Sequence, residues 1–189
     1  MSEAAGQFLG LVNDRGYSGF ETLWPDLASQ PTGPTMSQPI AAKSGILNII
    51  DTTGFAVLAT ENAGQPHTSL IAVTSFAAGR QLIFATYRNT LKYHNLQQNR
   101  RVSLLINGCP VRGAADQDGY VVSAVGRVQD IADSDLAAMR AAHLQKHPDL
   151  AAFLQSSDCV LLSLAVESYQ VVRGIDDVSW WKIDAMYPA

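Results

Sequence analysis

Five short apolar runs between residues 55 and 130 constrain the fold of this chain more than any other feature. They read FAVLAT, HTSLIAVTSF, QLIFAT, RVSLLI and YVVSAVGRV, they are rich in β-branched or aromatic residues, and turn signals such as ENAGQP and AAGR separate them. Most of the connections are too short for a crossover helix, which favours antiparallel pairing of neighbouring strands. The pattern predicts a mainly β fold in which antiparallel strands form a small barrel.

Helical patterns flank these runs on both sides. The stretch SQPIAAKSGILNIIDTTG has a serine cap, a proline in its first turn and a terminating glycine, and it predicts a first helix. The stretch DSDLAAMRAAHLQKHPDLAAFLQSS is rich in Ala and Leu and predicts another helix, with Pro148 opening a further short one. CVLLSLAVESYQVVRGI is strand-like again and leads to DDVSWWKI, which we expect to return and complete the barrel.

The first part of the chain has a different character. Residues 1–35 end in ASQPTGPT, where two prolines and a glycine disfavour a regular element. We therefore predict an N-terminal peripheral segment and linker at residues 1–35 and one main domain at residues 36–189. A chain of 189 residues is long enough to bury a sizeable core in such a domain.

Charge and hydropathy exclude several classes of partner. Lys and Arg total 13 against 17 Asp and Glu, so there is no overall basic field to attract nucleic acid or an anionic membrane. No apolar run approaches the ~20 residues that a membrane span needs, and MSEAAGQFLG lacks the features of a secretory signal. We expect a cytoplasmic protein. Cys109 and Cys159 have no CxxC or Cys/His pattern, which indicates buried structural thiols.

The stretch FATYRNTLKYHNL, residues 84–96, combines an apolar run with a dense group of polar side chains. If Thr90 caps a helix that begins near Leu91, the first free amides of that helix point back toward the end of the strand. Such helix N-termini bind phosphate, and Arg88 and Lys92 add charged donors. The stretch predicts a local anion site. The alternative is that both cations are solvated and flank an ordinary turn.

The wider pattern, from about residue 37 to residue 183, resembles the pyridoxamine 5'-phosphate oxidase-like, FMN-binding split-barrel family. The matching features occur in one order: a LAT strand, a turn with Gly64 and Pro66, a strand opening with His67, the FAT strand, the Arg-x-Thr-x-Lys turn, NL and RVSLLI. The resemblance implies an antiparallel split barrel with flanking helices and a homodimer with the flavin site at its interface. It also implies FMN as cofactor and an oxidoreductase that acts on a small-molecule substrate.

Individual site residues follow from the resemblance. The phosphate-binding turn corresponds to Thr86, Arg88, Thr90 and Lys92, and the strand beside the flavin ring corresponds to His67, Thr68, Ser69 and Leu70. The C-terminal strand often contributes in this family. Adjacent tryptophans on a strand point to opposite faces, so one belongs to the core and the other can cover a bound ring. We assign the second role to Trp180.

Two positions depart from the oxidase itself. Leu91 stands where the oxidase has a second phosphate-binding Arg, and Val121 stands where it has a Gln five residues before the Gly matched by Gly126. The oxidase's set of substrate-phosphate contacts also has no convincing match. The departures imply a substrate other than pyridoxamine phosphate.

Two alternatives to an FMN oxidoreductase remain open. The run AHLQKHPDLAAFLQSSDCVLLSLAVESYQVVRGIDDVSWW resembles the haem-utilisation (HugZ-like) branch, whose additional C-terminal domain has no counterpart in this sequence. FMN is therefore expected, with haem and the deazaflavin F420 as alternatives. An axial haem ligand would come from His67, His94, His143 or His147. The other alternative is a non-enzymatic flavin-binding stress-response module. No catalytic acid or base and no metal site is predicted.

Overall fold

A computed structural model describes residues 38–108, 121–172 and 177–187 of the chain. The predicted peripheral segment and linker at residues 1–35, and Cys109, lie outside these ranges. The strands are β1 (Phe55–Asn62), β2 (Gln65–Ala72), β3 (Thr74–Phe76), β4 (Gln81–Tyr87), β5 (Arg101–Asn107), β6 (Val121–Asp130), β7 (Cys159–Val172) and β8 (Val178–Lys182). The helices are α1 (Gln38–Thr52), α2 (Leu91–Gln98), α3 (Asp133–Lys146), α4 (Ala151–Gln155) and α5 (Ile183–Met186).

The eight described strands form one antiparallel sheet. Their order is β2-β1-β5-β6-β7-β4-β3, and β8 pairs with β7. This confirms the predicted mainly β, antiparallel fold with flanking helices, the architecture of a split barrel. The sheet is not closed, because β8 lies beside β7 and does not return to β2 at the other edge.

The long strand β7 organises one side of the sheet. Its first half, residues 159–165, pairs with β4, and its last five residues, 168–172, pair with β8. Strand β6 pairs with β7 from residue 162 to residue 172, so it occupies the opposite side of both halves. Strands β4 and β8 therefore lie end to end along one edge of β7.

One predicted strand is two strands in the structure. The run HTSLIAVTSF is divided at Val73, because the chain leaves its partner β1 at Ala72 and pairs with β4 from Thr74. Val73 itself is fully buried, and its amide donates to the Gly54 carbonyl at 3.2 Å. This corner, Ala72–Thr74, joins the two edge strands of the sheet.

Alternation along the strands separates the core from the outer face. On β1, Ala56, Leu58 and Thr60 are buried, while Phe55 and Val57 are exposed. The inward side chains of the sheet pack against Ile46, Ile49 and Ile50 of α1. Full burial of one such aliphatic side chain contributes about 1.5–3 kcal/mol to stability, so this face of α1 is a major part of the core.

His143 of α3 and His147, which follows the end of that helix, hold the corner at Ala72–Thr74. The Nδ1 atom of the fully buried His143 lies 2.9 Å from the Thr74 hydroxyl, and His147 Nε2 lies 3.0 Å from the Val73 carbonyl oxygen. Burial is the largest cause of a pKa of about 4 for His143, and the electrostatic effects of the neighbouring His147 and Lys146 act in the same direction. Within the described ranges no group of three potential metal ligands exists.

Candidate functional site

The turn between β4 and α2 is built on two threonine hydroxyls. Thr86 and Thr90 hydroxyl oxygens lie 3.0 Å apart, and Thr90 Oγ1 donates to the Tyr87 carbonyl at 2.8 Å. Thr90 occupies the N-cap position of α2, as predicted, with an extended backbone. Its hydroxyl makes no capping hydrogen bond, contrary to the predicted cap, because it is turned back onto the turn itself.

The first turn of α2 consequently has free donors. The amides of the first residues of a helix have no intrahelical acceptor, and here no side chain of the described chain caps them. The first backbone bond into the helix runs from the His94 amide to the Thr90 carbonyl at 3.1 Å. The amides of Leu91, Lys92 and Tyr93 therefore point toward the end of β4, at the positive end of the helix dipole.

Lys92 places a cation at this helix terminus. Its side chain is partly buried, and burial lowers the pKa of its ammonium group because desolvation disfavours the charged form. Among the residues that the structure describes, the two Lys/Arg ion pairs join Arg100 to Asp130 and Arg101 to Glu167. Lys92 is thus a partly desolvated cation without a carboxylate in the described chain, and an anion would relieve that cost.

Arg88 has a role that its sequence context did not show. Its Nη1 donates to the carbonyls of Ser157 at 3.0 Å and Cys159 at 3.3 Å, and its backbone amide donates to Asp158 at 3.0 Å. Arg88 therefore fastens the turn to the segment that opens β7. The other guanidinium nitrogens have no hydrogen-bond acceptor among the described residues. The sequence does not indicate this role, because the acceptors are backbone carbonyls of residues that are distant from Arg88 in the sequence.

Strand β2 lies at one edge of the sheet and carries the four residues that the resemblance placed beside the flavin ring. His67 and Ser69 point inward and are partly buried, whereas Thr68 and Leu70 are exposed on the outer face. Alternate backbone groups of an edge strand have no strand partner and can bind a ligand. The Ser69 hydroxyl is buried and has no hydrogen-bond partner in the described chain.

Asn95 connects α2 to β2. Its Nδ2 donates to the Thr60 hydroxyl at 3.0 Å, and the Thr60 hydroxyl donates to the His67 carbonyl at 3.3 Å. Asn95 and Thr60 are both buried, so this chain of bonds fixes the turn and the edge strand relative to each other. Sequence reasoning noted the NL dipeptide but did not count Asn95 as a site residue. The signal that could have identified Asn95 is a polar side chain on the face of a short helix that is otherwise buried.

The two C-terminal tryptophans point to opposite faces of β8, as predicted. Trp181 packs against the core and its Nε1 donates to the Ser179 hydroxyl at 3.1 Å. Trp180 is paired with Gln170 on the other face of the sheet. A row of paired residues crosses this outer face, which we call the outer row: Leu70, Val57, Leu105, Ser123, Gln170 and Trp180.

The structure thus brings the predicted residues together in two places. The turn and β2 form one unit through Asn95, whereas Trp180 lies at the other end of the outer row. Strands β1, β5, β6 and β7 separate β2 from β8. At ~4.8 Å per strand step, the outer row spans roughly 24 Å along the sheet, more than one flavin ring covers. Trp180 and β2 of one protomer therefore belong to different parts of the outer face.

No helix in the described ranges is long and apolar enough to cross a bilayer.

Comparison with solved structures shows the same fold in other proteins. A heme binding protein from Mycobacterium smegmatis is similar with 21% identity and a TM-score of 0.68, over 82% of this chain and 61% of that protein. A protein of unknown function from Agrobacterium tumefaciens is similar with 22% identity and a TM-score of 0.62, over 77% of this chain and 62% of that one. A Clostridium acetobutylicum protein related to general stress protein 26 of B. subtilis, of the pyridoxinephosphate oxidase family, is similar with 14% identity and a TM-score of 0.60, over 78% of this chain and 98% of that one.

These identities are low, so the structural likeness shows the fold alone. The chain spans only about three fifths of the length of the first two proteins, at 61% and 62%. No curated protein sequence matches the chain. The family itself is shown by sequence: residues 44–173, more than half of the chain, match the family model for pyridoxamine 5'-phosphate oxidase, and the chain therefore belongs to the pyridoxamine 5'-phosphate oxidase family.

Proposed function

We propose that the protein binds FMN and acts as an FMN-dependent oxidoreductase on a small molecule. The observation that carries the proposal is Lys92, a partly buried cation without a carboxylate partner in the described chain, at a helix N-terminus whose amides are free. A phosphate group supplies the charge and the acceptors that this arrangement lacks.

The residues of the turn fit a phosphate well. The free amides of the first turn of α2 are neutral donors within one short segment, and Lys92 adds the charge. The hydroxyls of Thr86 and Thr90 would join them by turning away from the Tyr87 carbonyl, to which both now donate. Arg88 contributes through the guanidinium nitrogens that the carbonyls of Ser157 and Cys159 leave free. The loss of the oxidase's second phosphate-binding Arg, at Leu91, leaves a site with two cations.

The flavin ring would lie along β2, at the residues His67, Thr68, Ser69 and Leu70. The unpaired backbone groups of this edge strand would bind the polar edge of the ring, and the hydrogen-bond chain through Asn95 would hold the strand at the correct distance from the phosphate turn. Bound FMN would supply the hydride or electron transfer, and this chain's residues would position it and exclude water. No side chain at the site is assigned as an acid or base.

The same proposal includes a homodimer that shares the flavin site. Leu70 is 69% exposed and Leu105 is 42% exposed, and Val57 lies between them on the outer row. Phe55, also exposed, adjoins this group on β1. A continuous apolar group of this kind marks an interface, and a second copy can cover it symmetrically. Trp180 of one protomer would then reach the flavin on β2 of its partner.

Addition of FMN to the flavin-free protein tests the cofactor. We expect stoichiometric uptake and a two-banded flavin absorption spectrum, with tighter binding of FMN than of F420 or haem. A Soret band in the purified protein, or no uptake of added FMN, would contradict the proposal. Reoxidation of the reduced, bound flavin by small-molecule acceptors separates an oxidoreductase from a flavin-binding module, which would hold the flavin without turning it over.

Replacement of Leu105 by Ala tests the dimer. The loss of apolar area from the exposed group should raise the dimer dissociation constant by about tenfold, since removal of an aliphatic side chain buried in the interface weakens the free energy of association by at least ~1.4 kcal/mol. Analytical ultracentrifugation measures this constant. The matched control is Leu136→Ala on α3, where an equally exposed Leu, at 38%, lies outside the outer row. A monomeric wild-type protein with bound FMN would rule out a shared site.

A further inference from the structure

The last described residue, Tyr187, lies between two cations from distant parts of the chain. The Lys43 ammonium nitrogen on α1 is 3.6 Å from the centre of the Tyr187 ring, and the Arg80 guanidinium carbon is 4.3 Å from it. Arg80 Nη2 also donates to the Tyr187 carbonyl at 3.4 Å. Tyr187 therefore contacts both cations through its ring and one of them through its backbone.

Arg80 connects Tyr187 to the sheet. Arg80 immediately precedes β4, and its carbonyl accepts the Val166 amide of β7 at 3.0 Å. Strand β4 begins opposite Ala165 and β8 ends opposite Ser168. The clamp formed by Lys43, Arg80 and Tyr187 thus sits at the junction where β4 and β8 meet end to end along β7.

Strand β8 has few other attachments. In the described chain it pairs with β7 alone, over five residues, and its other edge has no strand partner. Helix α5 follows β8 directly at Ile183 and leads through the buried Met186 to Tyr187. The buried Met186 and the clamped Tyr187 therefore fix the end of the segment that carries Trp180.

We propose that Tyr187 is a positioning residue for the flavin site: held between Lys43 and Arg80, it anchors β8 and so sets the position of Trp180. The positioning half of this inference rests on the proposed FMN function, whereas the anchoring half does not. Because the clamp acts on the end of β8 and not on the phosphate turn, its loss should affect the ring of the flavin and not its phosphate.

Hydrogen exchange of the β8 amides, residues 178–182, tests the anchor in the full-length protein. In Tyr187→Ala these amides should exchange about tenfold faster or more, while the amides of β5 and β6 keep their rates. Tyr187→Phe retains the ring and should behave as wild type. Lys43→Met should reproduce part of the increase, and the control Lys182→Gln, an exposed cation of the same strand, should not. Wild-type exchange of the β8 amides in Tyr187→Ala would overturn the anchor.

Flavin binding tests the positioning. Tyr187→Ala should weaken FMN and riboflavin in parallel, by about three- to tenfold, the range for a lost aromatic contact. The visible circular dichroism of the bound flavin should change with it, and Tyr187→Phe should restore both. Faster β8 exchange with unchanged affinity for both flavins would show that Trp180 is not positioned by the clamp. A wild-type protein that binds no flavin would overturn the proposed function and the positioning half with it, and the exchange experiment would still decide the anchor.

Discussion

Replacement of Lys92 by Ala is expected to weaken FMN binding by about 10- to 100-fold and to leave riboflavin binding nearly unchanged. A hydrogen bond to a charged group contributes on the order of 1.5–3 kcal/mol, and ~1.4 kcal/mol corresponds to a factor of ten. Riboflavin has the same ring without the phosphate, so it does not use the ammonium group. Fluorescence titration of both flavins against the wild type and the variant measures the difference.

Two further variants sharpen this experiment. Arg88→Ala should also lose FMN affinity selectively, but it should lower the unfolding midpoint as well, because the Arg88 guanidinium holds the carbonyls of Ser157 and Cys159. Lys182→Ala, at an exposed lysine on β8, is the matched control and should bind both flavins as the wild type does. A parallel loss of both flavins in Lys92→Ala would mean that the substitution disturbs the fold, and no loss of either would identify Lys92 as a solvated cation.

Replacement of Gly126 by Ala is expected to lower the free energy of unfolding by more than about 3 kcal/mol, at the upper end of the effects of overpacking. A Cβ atom at this position would lie 2.1 Å from the Ala165 carbonyl oxygen, far inside van der Waals contact. The neighbour is backbone in the middle of β7, so it cannot rotate away. The register of β6 against β7 also shifts between Val125 and Gly126, which means that the clash falls where the ladder is already irregular.

Chemical denaturation of the flavin-free protein measures this effect, since bound ligand would add its own stabilisation. The control is Gly45→Ala in α1, where an added Cβ has no neighbour within 4 Å. There the substitution should stabilise the protein by up to about 1 kcal/mol, because Ala is the better helix former. A Gly126→Ala protein with the wild-type midpoint would show that β6 and β7 can separate at the bulge without loss.

Local patterns accounted for the elements of the fold. The change from an apolar run to a polar segment predicts that β4 ends before Thr90 and that α2 begins near Leu91, where the structure has it. The short connections between the other runs predict antiparallel pairs of strands. The division of β2 from β3 at Val73 was missed, because a bend between two partners leaves the hydrophobic pattern of the run unchanged. The sequence predicts that the last strand completes the barrel, whereas in the structure β8 pairs with β7. The order of strands depends on contacts across the whole sheet, and the local pattern of one strand does not contain it.

By itself, the sequence determined the family, the antiparallel β class and the turn between β4 and α2, because these depend on the order of residues along the chain and on interactions within a few positions. Only the tertiary structure decided which of those residues have partners. It showed that Arg88 holds distant carbonyls while Lys92 has no carboxylate in the described chain. It also showed that Asn95 joins α2 to β2 through the hydroxyl of Thr60 on β1. It also placed Trp180 across the sheet from β2. These facts depend on burial and on contacts between residues far apart in sequence, and no local pattern encodes them.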